Sequence, residues 1–550
     1  MKLYKFFLVM IGAALLTTSC NDIDEQYPET GVLTKEQNQE VNEILPERAQ
    51  ATFQGMFSIM AMPHRGLPNS TTRADDFGYV MAAISLDLEG ADMFMNDNNY
   101  AWFSPCGEYS SRNANYANPY IRYVIPYRQI GIINDVLAGI AEDTDNPDLQ
   151  NQMAQARAMR AYAYMALAPY FAFNYNKPDD LCIPILKVDT DYGNNPRATV
   201  EEVWASIKED LDYAVAHLTD ARSAKDQINK NVAYGLRARA NLYMGNFADA
   251  AADAEQAMKG FTPASQAEIS VPAFCNLNEH NWIWGINVTT EIAAVDGYCT
   301  ASSWLSAFTG DGYAPACQLI PTINYLLYKK IPDTDLRKNW WLDFNLHSPN
   351  WAGLTWTDPD TGTRATGDEI ANLTIEEVKM KFEPLNSIKF GMKSGVGSII
   401  NNNDFPLMRV EEMILIQAEG LARSGNEAKA KQILENFVKT YRDPAYSVEA
   451  NLQTRGLVDE IWFQRRVELW GEGFFVFDCK RLGKPLVRTH GSGSTNVPTA
   501  FAFNIAANDG WMNMRFPDDE IDNNAGIIDN TGGAIPEPGQ NANLRDGVTD

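Results

Sequence analysis

Residues that usually carry catalysis or bind metals are scarce in this chain, which has only seven cysteines and five histidines among 550 residues. No two cysteines form a C-x-x-C pair, and no two histidines form an H-E-x-x-H pair. The sequence also lacks the G-x-S-x-G elbow of serine hydrolases, the phosphate-binding Walker loop and the Rossmann fingerprint. We therefore predict a protein that is not an enzyme, with no catalytic residues, no metal site and no cofactor.

Positive charge is the second deficit. The chain has 45 lysines and arginines against 71 aspartates and glutamates, which gives a formal net charge of −26. A field of this sign repels phosphate backbones and anionic lipid head groups, so we exclude nucleic acid as a partner. Glycoside hydrolysis needs two carboxylates close together, and among so many acidic residues such a pair could arise by chance. A surface hydrolase is therefore the last of the alternative functions.

Long hydrophobic runs are missing too, apart from one at the start of the chain. Phe6 to Leu16 is apolar but shorter than the ~20 residues that span a bilayer, and it follows Lys2 and Lys5. Three small residues then lead directly to Cys20. This order is typical of a secretory signal peptide. Its ending on a cysteine resembles the lipobox of bacterial lipoproteins, although Thr17 stands where leucine is commoner.

The lipobox implies that Cys20 carries the acyl chains that anchor the protein, and two or more chains hold a protein on a membrane far better than one. The acidic residues that follow it resemble those of lipoproteins carried to the outer leaflet of a Gram-negative outer membrane. An ordinary signal peptide with a chance cysteine is the alternative. The expected organisation is a signal peptide at 1–19, the acylated cysteine and a flexible spacer at 20–40, and a single domain at 41–550.

Most of the remaining chain has apolar residues at helical spacing. Val232 to Tyr243 and Phe247 to Met258 are alanine-rich helices separated by Gly245-Asn246, and a similar pair runs from Met408 to Val438. Such pairs resemble tetratricopeptide hairpins. The predicted fold class is therefore mainly α, with a tetratricopeptide-like hairpin scaffold at about 41–260 and 400–485.

Between about 265 and 400 the helical periodicity fades, and glycine, proline, asparagine and threonine become frequent. Trp282 to Val288 alternates like a short strand. Much of the tryptophan of the chain lies in this region, at Trp282, Trp284, Trp304, Trp340, Trp341, Trp351 and Trp356. We predict a large irregular, loop-rich insertion with short strands, the kind of segment in which binding residues concentrate.

Five blocks, taken in chain order, resemble the SusD/RagB family of outer-membrane nutrient-binding lipoproteins. They are Ala156–Tyr164, Arg197–Trp204, Ala238–Phe247, Met408–Glu419 and Gln464–Arg481. The last block, which contains R-R-V-E-L-W-G-E-G, is the most specific. Within it we expect the charged residues to join helix ends by ion pairs rather than to contact ligand, and these are Arg465, Arg466, Glu468 and Asp478.

The resemblance implies a function in binding. Members of the family capture glycans or peptides at the cell surface and pass them to a TonB-dependent outer-membrane barrel, over which they sit as a lid. We therefore expect a glycan ligand, a barrel partner and a surface-facing outer-membrane location through the lipid anchor on Cys20. A peptide-binding lid of the same family and a helical-repeat scaffold that only docks other proteins are the alternatives.

A glycan site needs aromatic rings for the flat C–H faces of sugars and polar side chains for their hydroxyls. Two loop stretches, 92–106 and 298–313, offer such residues, and Arg73 lies in an earlier loop. The predicted site consists of Trp102 and Trp304 as platforms, Tyr100, Tyr298 and Tyr313 as secondary walls, and Asn99 and Arg73 as hydroxyl partners. Loop aromatics also commonly pin long loops onto a scaffold, which is the alternative for each of these rings.

Overall fold

The computed structural model describes residues 35–67, 72–95, 102–173, 175–187, 190–357, 362–372, 381–491 and 496–550. The predicted signal peptide, Cys20 and the site candidates Asn99 and Tyr100 lie outside the described residues. The described chain is mainly helical, as predicted from the sequence. Within these ranges no helix combines the length and the apolar character needed to cross a membrane.

Two series of helices flank a region of short ones. The first series is α1 Lys35–Ile44, α2 Pro46–Ser58, α3 Gly78–Glu89, α4 Ser104–Glu108, α5 Ala117–Ala138, α6 Pro147–Phe171, α7 Val200–His217, α8 Lys230–Met244 and α9 Phe247–Ala257. The short helices are α10 Gln266–Ile269, α11 Thr290–Ala293, α12 Ala301–Leu305, α13 Tyr313–Ala316 and α14 Tyr325–Tyr328. The second series is α15 Val410–Arg423, α16 Glu427–Tyr441, α17 Val448–Asn451, α18 Leu457–Glu468, α19 Phe475–Leu482 and α20 Asp518–Asn523.

The strands are short and pair two by two. They are β1 Met93–Phe94, β2 Trp282–Ile286, β3 Thr322–Ile323, β4 Thr355–Thr357, β5 Arg364–Thr366, β6 Phe405–Arg409, β7 Leu486–Val487 and β8 Asn504–Ile505. Each pair is antiparallel, and the pairs are β1 with β3, β2 with β6, β4 with β5 and β7 with β8. The β2–β6 pair joins the insertion to the second helical series, because β6 leads directly into α15.

The two predicted helical pairs are present as α8–α9 and α15–α16. Gly245 (φ 83°) and Gly425 (φ 89°) each follow the first helix of a pair in the left-handed conformation that glycine adopts without strain. Helix α15 packs closely on α9, where a Cβ at Gly420 would lie 2.5 Å from the carbonyl oxygen of Phe247. Met408, predicted to open the second pair, belongs instead to β6. The tetratricopeptide-like description stays a prediction.

Helix α1 begins at Lys35, inside the stretch predicted as a flexible spacer. The reason is that α1 docks on the end of α5. The side-chain amide of Gln39 donates to the carbonyl of Ala138 at 2.9 Å, and that of Asn42 donates to the carbonyl of Gly139 at 2.9 Å. These bonds satisfy carbonyl groups that a helix end leaves without a partner inside the helix.

Strand β2 lies in the core rather than at a surface. Trp282 and Trp284 are both fully buried. Trp284 packs edge-on against Tyr162 of α6, with ring centroids 4.9 Å apart, and its indole N–H donates to the carbonyl of Asp226 at 3.0 Å. Both faces of this two-stranded sheet are covered, so every residue of β2 is buried and burial does not alternate along the strand.

Buried ion pairs join the elements of the most specific sequence block, as expected. They are Arg465–Asp478 at 2.9 Å, Arg466–Asp92 at 2.7 Å and Glu468–Arg442 at 2.7 Å. The first pair connects α18 to α19. These charges therefore belong to the scaffold.

A capping box begins α7. The hydroxyl of Thr199 accepts from the backbone N–H of Glu202, and the Glu202 carboxylate accepts from the N–H of Thr199. We expect Thr199→Ala to lower the free energy of unfolding by about 1 kcal/mol, because one helix N–H loses its acceptor. Urea denaturation measures this. Glu202→Gln is the matched control, since glutamine also serves in a capping box, and an equal loss in both variants would contradict the assignment.

Candidate functional site

Five residues of the predicted site lie in the described chain, and the structure brings them together from separate segments. They are Arg73, Trp102, Tyr298, Trp304 and Tyr313, which we call the aromatic cluster. Tyr313 is at its centre: its ring stacks on Trp304 with centroids 4.1 Å apart and planes 8° apart. The indole N–H of Trp102 donates to the Tyr313 hydroxyl at 3.2 Å. The ring of Tyr298 lies edge-on to Tyr313 at 5.5 Å.

Burial separates the roles of these rings. Trp304 is 0% exposed, and it packs edge-on against Phe103 with centroids 4.6 Å apart. Its indole N–H donates to the carbonyl of Ala74 at 3.2 Å. A ring with no exposed face cannot stack on a sugar, so Trp304 forms the floor of the cluster rather than the platform expected from the sequence. Tyr298 is 43% exposed and presents the largest accessible ring of the cluster.

Arg73 is committed to partners on both sides. Its Nε and Nη2 donate to the two carboxylate oxygens of Asp75, each at 2.8 Å. Its guanidinium lies 5.1 Å from the ring centroid of the half-buried Trp102. Burial lowers the pKa of Arg73, but the hydrogen bonds and charge of Asp75 outweigh this and raise it. The cation therefore holds Trp102 in place while part of its own side chain stays open to solvent.

Asp311 is a polar partner that the sequence did not single out. The Tyr298 hydroxyl donates to Oδ1 of Asp311 at 2.9 Å. This hydrogen bond is the main reason that the pKa of Tyr298 rises to about 12, with burial adding to it. Asp311 is exposed. An exposed carboxylate beside an exposed ring can accept hydrogen bonds from sugar hydroxyls.

A second loop, residues 395–402, extends the surface around Asp311. The Asn401 side-chain amide donates to the Asp311 carbonyl at 2.5 Å, and the N–H of Gly310 donates to the Ser398 carbonyl at 2.8 Å. A Cβ at Gly310 would lie 2.2 Å from the Gly397 carbonyl oxygen, so only glycine permits this approach. The loop exposes Ile399 to 66%. In the sequence this loop can be recognised by two adjacent isoleucines that follow Gly-Ser and precede three asparagines.

A separate cavity of about 140 Å³ lies among the scaffold helices. Ion pairs line it: Arg239 donates to Glu412 at 2.6 Å, and Arg465 donates to Asp478 at 2.9 Å. These charged groups pair with one another, and the volume is small for a glycan chain. A glycan chain needs an open groove, so the aromatic cluster is the better candidate site.

Comparison with known families decides the identity of the scaffold. A family model described as starch-binding and associating with the outer membrane matches residues 79–242. A second model, of the SusD family, matches residues 382–533. Together the two matches cover more than half of the chain. The chain belongs to the SusD/RagB family. No curated protein matches the sequence significantly.

Solved structures of this family share the fold at low sequence identity. A SusD-like carbohydrate-binding protein from Bacteroides vulgatus is 22% identical, with a TM-score of 0.66 over 88% of this chain and 97% of the other. A SusD superfamily protein from Bacteroides thetaiotaomicron is 20% identical, with a TM-score of 0.64 over 88% and 99%. A laminarin-binding SusD-like protein is 15% identical, with a TM-score of 0.60 over 88% and 99%.

The two family models match only part of the aromatic cluster. The family is one of carbohydrate-binding proteins associated with the outer membrane. Trp102 lies within the first matched stretch, whereas Tyr298, Trp304 and Tyr313 lie between the two matches. The shared scaffold therefore places an insertion whose own sequence supplies most of the candidate site.

Proposed function

We propose that this SusD-family protein binds a glycan at the aromatic cluster, on the cell surface, and delivers it to a partner TonB-dependent outer-membrane barrel without catalysis. The observation that supports this most directly is the exposed ring of Tyr298, hydrogen-bonded to the exposed Asp311 and adjacent to the half-buried Trp102 through Tyr313. A flat apolar ring next to hydroxyl acceptors matches the two surfaces of a sugar.

The cluster is preorganised for such a ligand. Tyr298 is fixed by its hydroxyl hydrogen bond, and Tyr313 is held between Trp304 and Trp102. Rings that are already held in place lose little conformational entropy when a ligand stacks on them. We therefore assign the platform to Tyr298, with Trp102 as its neighbour and Arg73 as a positioning group.

Tyr298→Ala should weaken glycan binding about tenfold. A ring that covers on the order of 60 Å² of a sugar face contributes about 1.5 kcal/mol at ~25 cal/mol per Å², and about 1.4 kcal/mol is a factor of ten in affinity. Trp102→Ala should weaken binding to a similar extent. The measurement is calorimetric titration of the purified protein with soluble plant, host and microbial glycans, including starch and laminarin.

Two control variants make this test specific. Tyr298→Phe keeps the ring and loses only the bond to Asp311, so it should retain most of the affinity. Tyr192→Ala removes an aromatic side chain that is 63% exposed and lies outside the cluster, so it should bind as wild type does. Equal binding by wild type, Tyr298→Ala and Trp102→Ala would place the glycan elsewhere on the protein.

The surface location and delivery step rest on Cys20 and on the family. With Cys20→Ser, the protein should leave the membrane fraction, because no other anchor is proposed. The barrel partner should co-purify with the wild-type protein from detergent-solubilised membranes. Incubation with polysaccharide should release no reducing ends above a heat-inactivated control, and a steady release would support the hydrolase alternative instead.

Peptide binding is the second candidate function, and the acidic groups near the cluster favour it. Asp296 and Asp311 flank the exposed ring of Tyr298, and both side chains are at least partly exposed. A basic peptide would be attracted by these charges, and its binding would weaken as salt screens them. The same titrations with basic peptides at low and high salt distinguish the two ligands, since stacking of a neutral glycan depends little on salt.

A further inference from the structure

A histidine, an aspartate and a cysteine from distant parts of the chain meet beside the aromatic cluster. Nε2 of His64 lies 3.0 Å from Oδ2 of Asp296 and 3.9 Å from Sγ of Cys299. One ligand atom from each of these residues lies within 4.8 Å of the other two. The sequence predicted no metal site, because no spacing motif connects residue 64 with residues 296 and 299.

Two of the three separations are close to those in the coordination shell of a small divalent ion. Around a tetrahedral zinc with bonds of about 2.0 Å to nitrogen or oxygen and about 2.3 Å to sulfur, the N–O separation is about 3.3 Å and the N–S separation about 3.6 Å. The observed 3.0 and 3.9 Å differ from these by only a few tenths of an ångström. Small side-chain rotations would suffice to accommodate an ion.

The surroundings of the thiol carry excess negative charge. Asp296 lies beside the thiol, and Sγ of Cys299 lies 3.3 Å from the carbonyl oxygen of Arg73, on the segment that also carries Asp75 and Asp76. Carboxylates gathered on one side of the site attract a cation. The guanidinium of Arg73 is already paired with Asp75.

His64 is presented in an unusual backbone conformation. Its φ is 57°, in the left-handed region, and its backbone N–H donates to the carbonyl of Asp76 at 2.8 Å. Such conformations concentrate where a side chain must be aimed at a site. Nδ1 of His64 makes no hydrogen bond to any described residue, so the ring proton can reside there and leave Nε2 as the ligand.

We propose that His64, Asp296 and Cys299 bind one divalent ion of the zinc class, with a fourth position left for water. Thiolate, imidazole and carboxylate together select zinc over calcium or magnesium, which prefer oxygen ligands. The side chains of His64 and Asp296 are 19% and 28% exposed, so an ion can enter from solvent. This metal site does not depend on the proposed glycan binding, and either one can be correct without the other.

A bound ion would connect two segments that frame the candidate glycan site. His64 lies on the segment that leads to Arg73, and Asp296 and Cys299 flank Tyr298 in the chain. The backbone N–H of Tyr298 already donates to Oδ1 of Asp296, at 2.9 Å. Coordination of Oδ2 would therefore fix the loop that carries the exposed ring.

Cobalt titration of the purified protein tests the proposal directly. Co²⁺ replaces zinc and reports its ligands by thiolate-to-metal charge-transfer absorption and by the visible bands of tetrahedral coordination. We expect one Co²⁺ per chain, displaced by stoichiometric Zn²⁺. Cys299→Ser should abolish the charge-transfer band, and Asp296→Asn should weaken binding by more than the roughly 10–100-fold typical of losing an outer-shell partner.

Cys275→Ser provides the matched control, because Cys275 is a half-buried thiol that is not one of the three proposed ligands. It should leave the cobalt spectrum unchanged. Asp296→Asn can still accept the hydrogen bond from the Tyr298 N–H, so the loop should keep its fold while the ion loses a charged ligand. Absence of a cobalt–thiolate band in wild type, or its persistence in Cys299→Ser, would overturn the proposal and leave a simple His64–Asp296 hydrogen bond.

Discussion

Glu468→Gln should lower the free energy of unfolding by about 3–5 kcal/mol, the range typical of removing one partner from a buried ion pair. The Glu468 carboxylate is fully buried and lies 2.7 Å from Arg442, 3.1 Å from Arg409 and 3.3 Å from Arg337. The amide that replaces it is neutral, so three buried guanidinium groups would lose a counter-charge. The site is fully buried, so bulk solvent cannot replace the lost counter-charge, which is why the loss is large.

Glu449→Gln is the control for this substitution. Glu449 pairs with Lys431 at 2.9 Å, but its side chain is 68% exposed. Exposed pairs typically contribute less than about 1 kcal/mol. Chemical denaturation of both variants and wild type measures the difference, and equal stability of the two variants would contradict a structural role for the buried network.

The effect of Glu468→Gln should also depend on pH. Burial would raise the pKa of Glu468, but Arg442, Arg409 and Arg337 outweigh burial and hold the pKa well below its ordinary value. A carboxyl with a depressed pKa stabilises the folded protein above its unfolded pKa of about 4.3 and loses this contribution as the pH falls toward the folded value. The stability difference between wild type and Glu468→Gln should therefore be constant near neutral pH and shrink in acid.

Trp304→Ala should have the second large effect, and it should act on stability and binding together. Removal of a buried tryptophan typically lowers the free energy of unfolding by about 3–5 kcal/mol, through lost packing and the cavity left behind. Here the cavity would open under Tyr313, which stacks on Trp304 and accepts the hydrogen bond of Trp102. We therefore expect glycan affinity to fall at least as far as in Tyr298→Ala, although Trp304 has no exposed face.

Trp462→Ala is the control that separates the loss of stability from the loss of glycan affinity. Trp462 is also fully buried, on α18, where it packs against Phe475 rather than against the aromatic cluster. Its loss should destabilise the protein by a similar amount and leave glycan affinity unchanged at temperatures where the protein is folded. If both tryptophan variants bind as wild type, Trp304 is a core residue with no influence on the ligand.

Local sequence signals were enough for the helical elements. The capping box at Thr199 and the breaks at Gly245 and Gly425 act over one helical turn, so they can be recognised without knowing what the helix packs against. The charged block around Glu468 was recognised as scaffold by its resemblance to a family. The start of α1 was missed because it depends on hydrogen bonds from Gln39 and Asn42 to the end of a helix about a hundred residues away.

The candidate site was predicted as a set of residue types but not as an arrangement. Aromatic residues in loops mark a region rich in rings, and the five described candidates do meet. Which ring is exposed depends on the neighbours of each, and Trp304 is covered by Phe103 and Tyr313 from other segments. Asp311 was missed because a single acidic residue in an acidic chain carries no signal of its own.

Helical periodicity, caps and family blocks depend on neighbouring residues. The mainly helical scaffold, the family and the residue types of the candidate site can therefore be inferred before the fold is known. That Tyr298 is the accessible ring, that Trp304 lies beneath Tyr313, and that His64 meets Asp296 and Cys299 follows only from the folded arrangement. The contacts of Trp304 with Phe103 and of His64 with Asp296 and Cys299 join residues more than two hundred positions apart, and they exist only once the chain has folded.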